Sequence, residues 1–240
     1  MYPAQLHLFA TPEALARAFA AELAREIATG RPLHLALSGG STPQRLFQLL
    51  AAAEEPLDWT AVHLYWGDER CVAPDHGESN YGVTRKLLLD RIDIPAANVH
   101  RIRGEAPPAE AAQNYGDLLR QALPTNDGVP VFDWILLGMG SDGHTASIFP
   151  HQMELLRAEG PCALAVHPDS GQRRVSLTGP VLNAARRVSF LITGASKRAV
   201  FTKILHRQNE WETYPTAHIQ PSGQLEFYLD QFVLHEGEEK

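Results

Sequence analysis

The chain has 240 residues, 44% apolar and 20% charged, the balance of an ordinary soluble globular protein. Its net charge of −7 disfavours nonspecific binding to nucleic acid, so a small anionic ligand would need a local basic pocket. Cys71 and Cys162 supply neither a disulfide framework nor a cysteine metal site, no segment has membrane-span length, and the N-terminus lacks a signal-peptide layout. The expectation is a protein of the reducing cytoplasm with no nucleic-acid or membrane partner, either a monomer or a small homo-oligomer.

In chain order, "TPEALARAFAAELAREIATG" reads as an amphipathic helix, capped by Thr11, with Pro12 at its first position and Gly30 as its stop. "PLHLAL" reads as a strand, followed by the glycine turn "SGGSTP" and the helix "QRLFQLLAAA". "AVHLYW" is a second strand, broken by the charged turn "GDER"; "SNYGVTRKLLLDRI" is helical from Ser79 or Asn80. "ANVHRI" is read as a short strand, "APPAEAAQNYGDLLRQAL" as a helix and "FDWILL" as a buried strand. Beyond residue 150 come strands "CALAVH", "RRVSLT" and "RVSFLIT", the helix "ASKRAVFTKILHRQ" and the strand "LEFYLD". The polar tail "HEGEEK" reads as a solvated terminus. Alternating strands and helices predict an α/β fold: a Rossmann-like, largely parallel sheet covered by helices on both faces, with residues 1–240 forming one domain.

Ligands of parallel α/β sheets bind beyond the carboxyl ends of the strands, and four loops leave predicted strands there. In "SGGSTP", Gly39 and Gly40 turn the backbone and Ser41 and Thr42 open a helix. That is either an anion site of free amides at a positive dipole end or a plain capped turn. In "GDER", Asp68, Glu69 and Arg70 either face a site or form a solvated, locally paired turn. "LLGMGSDGHTASIFP" holds G-x-G-x-x-G at Gly138, Gly140 and Gly143. Its surroundings are wrong for a dinucleotide: Pro150 leaves little room for the long helix, and Asp169 is a poor and late match for the ribose-binding acid. What remains is Asp142 and His144 on a glycine turn. A histidine titrates near neutrality, at about 6.5, and accepts a proton from water there. Either Asp142 or Glu69 would orient the ring. In "TGASK", Gly194 opens a helix with Lys197 in its first turn, where the dipole disfavours a cation unless an anion meets it. Arg173 and Arg174 precede a strand, and alternation sends one of them to the site. No H-E-x-x-H or other ligand spacing is present, so no metal is expected, and no G-x-S-x-G elbow points to a serine esterase.

In their order and spacing, "LALSGGSTP", "WGDERCVAPDHGESNYG", "LLGMGSDGHTASIFP" and "LITGASKRAVF" resemble the 6-phosphogluconolactonases, over residues 10 to 205. The related glucosamine-6-phosphate deaminases share the G-x-G-x-D-G-H core but continue "IAFNEP" where this chain has "TASIFP". They also carry Tyr where Arg70 stands. The resemblance implies hydrolysis of 6-phospho-D-glucono-1,5-lactone without a cofactor. It places His144 as the base, Gly40, Ser41, Thr42, Arg174 and Lys197 at the phosphate, and Arg70 at the substrate. Asp142, Asp68 and Glu69 complete the expected catalytic cluster. The rival readings are an amino-sugar phosphate deaminase and a non-catalytic sugar-phosphate-binding protein. The family's "PAS"-like turn near the end is replaced by "YPTAHIQPSG", so no role is carried over to the C-terminal segment.

Overall fold

The computed structural model describes residues 4–234. In chain order its elements begin β1 (Gln5–Phe9), α1 (Pro12–Ile27), β2 (Leu33–Leu37), α2 (Ser41–Ala51), β3 (Val62–Trp66), β4 (Asp68–Arg70), α3 (Asn80–Leu87) and α4 (Pro108–Ala122). A hairpin of β5 (Thr125–Asn126) and β6 (Val129–Pro130) leads to β7 (Trp134–Leu137), β8 (Cys162–Val166), β9 (Arg173–Leu177), α5 (Gly179–Ala184) and β10 (Arg187–Ile192). The described chain ends with α6 (Arg198–His206), β11 (Gln224–Asp230) and α7 (Gln231–Leu234).

Six strands form one sheet in the order β1-β11-β10-β7-β2-β3, every neighbouring pair parallel. Helices cover both faces. On one, α1 starts where the Thr11 hydroxyl accepts from the Ala14 N–H, and its buried stripe Leu15, Phe19, Leu23 and Ile27 follows helical spacing. Phe19 lies edge-on to Tyr228 and tilted against Trp134, so it ties α1 to β11 and β7. On the other face Phe201 of α6 meets Phe227, the next residue of β11, whose side chain points the opposite way. Truncating a buried phenylalanine to alanine typically costs about 3–5 kcal/mol, a large part of the ~5–15 kcal/mol that holds a domain folded.

Three expectations need correction. The "GDER" turn is a strand: β4 pairs antiparallel with β9, which pairs antiparallel with β8. These three form a second sheet, so the strands after residue 150 do not all extend the first. "ANVHRI" is no strand; Ala96–Asn98 is a 3-10 turn, with a single bridge from Val99 to Leu64. Conversely, β1 was not expected. Its leucines Leu6 and Leu8 face outward while His7 stacks on Tyr228, so its apolar pattern points away from the core. The tail "HEGEEK" lies outside the described residues.

The β2–β3 edge carries a histidine cluster. His34 faces His63 across the ladder with rings 5.0 Å apart, and His63 Nδ1 lies 3.2 Å from His100 Nε2. His100 stacks on Tyr65 at 4.4 Å, and the Tyr65 hydroxyl is 3.2 Å from His34 Nδ1. Burial, with the neighbouring His63 and His34, pulls the His100 imidazole down to about 4. Burial also pulls His34 down, Asp133 opposing it. Imidazoles neutral in the fold but titrating near 6.5 when unfolded add stability that is full above about pH 6.5. That stability is lost as pH falls through the folded value of about 4. His100→Phe keeps the stack and removes the proton site. It is expected to flatten the decline of Tm with acidification below neutrality, measured by calorimetry across pH; an unchanged slope would exclude this cluster as its source.

Candidate functional site

The parallel sheet delivers the carboxyl ends of β2, β3, β7 and β10 to one edge, and the chain leaves each in a loop. A cleft of about 210 Å³ opens there, lined by Gly40, Asp68, Arg70, His144, Arg174 and Lys197, with Ser38, Asn80, Met139 and Ala146 among its other walls. The second sheet forms one side. In it Arg70 stands opposite Arg174 across the β4–β9 ladder, which brings two guanidinium groups to the same wall.

The turn after β7 presents the histidine. Asp142 Oδ1 lies 2.6 Å from His144 Nδ1 and also accepts the His144 backbone N–H at 3.2 Å. Burial pushes the Asp142 carboxyl up, but the hydrogen bonds and charge of His144 outweigh it and the net shift is downward. An ionised oxygen this close to Nδ1 requires a proton between them, because two acceptors would repel. Neutral His144 therefore carries its lone pair on Nε2, which has no protein partner among the described residues. Two glycines make this geometry possible. A Cβ on Gly140 would collide with the His144 ring and the Asp142 carboxylate, and Gly143 takes φ +80° beneath the Tyr214 ring.

Three cations share the cleft without a carboxylate at ion-pair distance among the described residues. Arg174 is 9% exposed, donates only to Gln172 Oε1, and lies over the Phe149 ring. Burial pulls its guanidinium down, Asp68 and Arg70 acting in opposite senses. Arg70 donates from Nη1 to the Glu78 carbonyl, and its buried Nε has no partner. Lys197 is half-buried; burial pulls its ammonium down, Asp142 opposing. The loop that carries Lys197 is joined to the glycine turn by the Thr42 and Thr193 hydroxyls at 2.9 Å. No side chain caps α2, so its first amides stay open at the positive end of the helix.

Not every expected residue points inward. Glu69 is 2% exposed, and its carboxylate accepts the backbone N–H groups of Arg70, Asn80 and Tyr81 and the Ser79 hydroxyl. Burial raises its pKa against those three amides, and the group sits at the N-terminus of α3. Its oxygens are occupied there, and among the described residues His144 pairs with Asp142 and not with Glu69. Asp68 does line the cleft, with Ser147 Oγ donating to it at 2.6 Å and Asn80 Nδ2 at 3.4 Å. Ser41 and Thr42 stand at the start of α2 beside the cleft, with Gly40 in its wall. Arg173 is exposed, which settles the alternation in favour of Arg174. Asn80 and Ser147 were missed as site residues; Ser147 sits inside "TASIFP", and Asn80 was visible only as a helix start.

Gly140→Ala is expected to separate the Asp142–His144 pair and abolish the low-field Nδ1–H proton resonance that so short a bond gives. Its persistence in the variant would show that the turn absorbs a methyl group.

The sequence matches the family described as "Glucosamine-6-phosphate isomerases/6-phosphogluconolactonase" over residues 9–227. A 6-phosphogluconolactonase of Haemophilus influenzae is 45% identical over 206 residues, covering 85% of this chain and 87% of its own. A human 6-phosphogluconolactonase is 44% identical over 205 residues, covering 82% and 78%. The solved 6-phosphogluconolactonase structure from Trypanosoma brucei superposes with a TM-score of 0.84 at 30% identity, covering 97% of this chain and 98% of that one. The chain belongs to the glucosamine-6-phosphate isomerase/6-phosphogluconolactonase family.

Proposed function

We propose that the chain hydrolyses 6-phospho-D-glucono-1,5-lactone to 6-phosphogluconate, a step of the oxidative pentose phosphate pathway. The observation that carries this reading is the pairing, in one cleft, of an Asp-held histidine with three cations that have no carboxylate partner. The family relatives named for the same lactonase activity support it.

The steps follow from the geometry. Arg174, Lys197 and the open amides of α2 hold the phosphate, with Arg70 adding positive charge beside Arg174. Charge-assisted bonds in a half-buried cleft are stronger than in water, and anchoring the remote phosphate leaves C1 placed for attack. Water adds to C1 as His144 Nε2 takes its proton; the ring charge that develops is stabilised by Asp142. The C1–O5 bond then breaks, and the imidazolium returns the proton to O5. The products are a free hydroxyl and a carboxylic acid, which ionises in solution. Asp68, held by Ser147 and Asn80, faces the same cleft, and its charge favours the cationic form of Arg174 against the effect of burial. Each step uses groups already present in the cleft, and the acid and base roles fall to one residue in succession.

His144→Ala is expected to lower kcat by about 10²–10⁴-fold with KM little changed, read as acid release from freshly generated lactone above the spontaneous rate. Near-native turnover in the variant would remove His144 from the base role. Lys197→Ala removes one charge-assisted contact and is expected to raise KM roughly 10- to 100-fold, with kcat less affected. An unchanged KM would take Lys197 away from the phosphate.

A further inference from the structure

The catalytic turn is held from outside by a segment that sequence comparison left without a role. After α6 the chain makes two 3-10 turns, Trp211–Thr213 and Pro215–His218, and returns beneath the turn that carries His144. We propose that Thr216 is a positioning residue for hydrolysis, fixing the Gly143–His144 peptide and through it the direction of the His144 ring.

Thr216 is 1% exposed and directs two donors at one oxygen. Its backbone N–H reaches the Gly143 carbonyl at 3.1 Å and its hydroxyl reaches the same carbonyl at 2.9 Å, with the His144 carbonyl at 3.5 Å. The turn's own backbone bonds run from Gly140 N–H to the His144 carbonyl at 2.9 Å and from Gly143 N–H to the Gly140 carbonyl at 3.1 Å, and neither uses the Gly143 carbonyl. The Asp142 contact sets the ring's tautomer and one of its torsions. The Gly143–His144 peptide is thus held at both ends, its N–H by Asp142 Oδ1 at 3.2 Å and its carbonyl by the two Thr216 donors.

The neighbouring contact is fitted to the same place. Tyr214 lies against the Gly143 Cα so closely that a Cβ there would overlap its ring, and Lys203 of α6 donates to the Tyr214 hydroxyl at 3.3 Å. α6 follows directly on Lys197, so one helix joins the proposed phosphate anchor to the support of the proposed base. A segment serving only to fill space would need neither a buried hydroxyl nor two donors on one carbonyl. Reacting groups displaced by about 1 Å lose up to ~10²-fold in rate, so the restraint is large enough to be measured in kcat.

The inference rests on His144 as the base, and its test separates the two. Thr216→Val keeps the shape and the backbone donor and deletes the hydroxyl. It is expected to lower kcat about 10-fold or more with KM within about twofold of wild type, and Thr216→Ser is expected to restore most of the loss. Should the valine variant fail to fold, Thr216→Cys, a weak donor of similar size, is expected to give a kcat below that of Thr216→Ser. Wild-type kcat in a folded valine or cysteine variant, with His144→Ala inactive, would overturn the role of Thr216 alone. Full turnover in both the Thr216 and His144 variants would overturn the base assignment itself.

Discussion

A carboxylate and an imidazole 2.6 Å apart, lying over a Cα that bears no side chain, set the chemistry of this molecule. The contact decides which ring nitrogen is free and where its lone pair points. It depends on Gly140, whose missing Cβ leaves room for the pair, and on Gly143, whose positive φ turns the chain so that the histidine follows the aspartate at close range. The turn in its turn depends on β7, buried at all four positions in the middle of the parallel sheet. A rigid strand end holds a short loop far better than another loop would.

Charge is distributed unevenly around that pair. The buried carboxylates are satisfied within the protein: Glu69 by three amides and a hydroxyl, Asp68 by Ser147 and Asn80. The cations are not. Among the described residues, Arg70 leaves a buried Nε without a partner, and neither Arg174 nor Lys197 has a carboxylate at ion-pair distance. Desolvated charge without a partner is unfavourable, and the proposed phosphate would relieve that cost. The protein is acidic overall at −7, so the grouping of Arg70, Arg174 and Lys197, and not the net charge, makes this cleft basic.

Much of the site was legible from residues because its chemistry is local. The D-G-H of the third loop, the glycine turn before α2 and the lysine at the start of α6 each sit within a few residues of a strand end, and the structure brings all three together. What escaped was set by distant partners. "GDER" reads as a turn because its charges suit solvent; only β9, far along the chain, makes it a strand and buries Glu69 at the N-terminus of α3. The choice between Arg173 and Arg174 likewise waits on the β4–β9 register. β1 escaped because its leucines face outward, and the Thr216 support because its two donors meet an oxygen on another loop.

The most direct test of the account is a structure with 6-phosphogluconate bound in the cleft. The phosphate is expected on Arg174, Lys197 and the first amides of α2, and the C1 carboxylate within about 3 Å of His144 Nε2. A product lying the other way round, with its phosphate at His144 and C1 at Lys197, would contradict it.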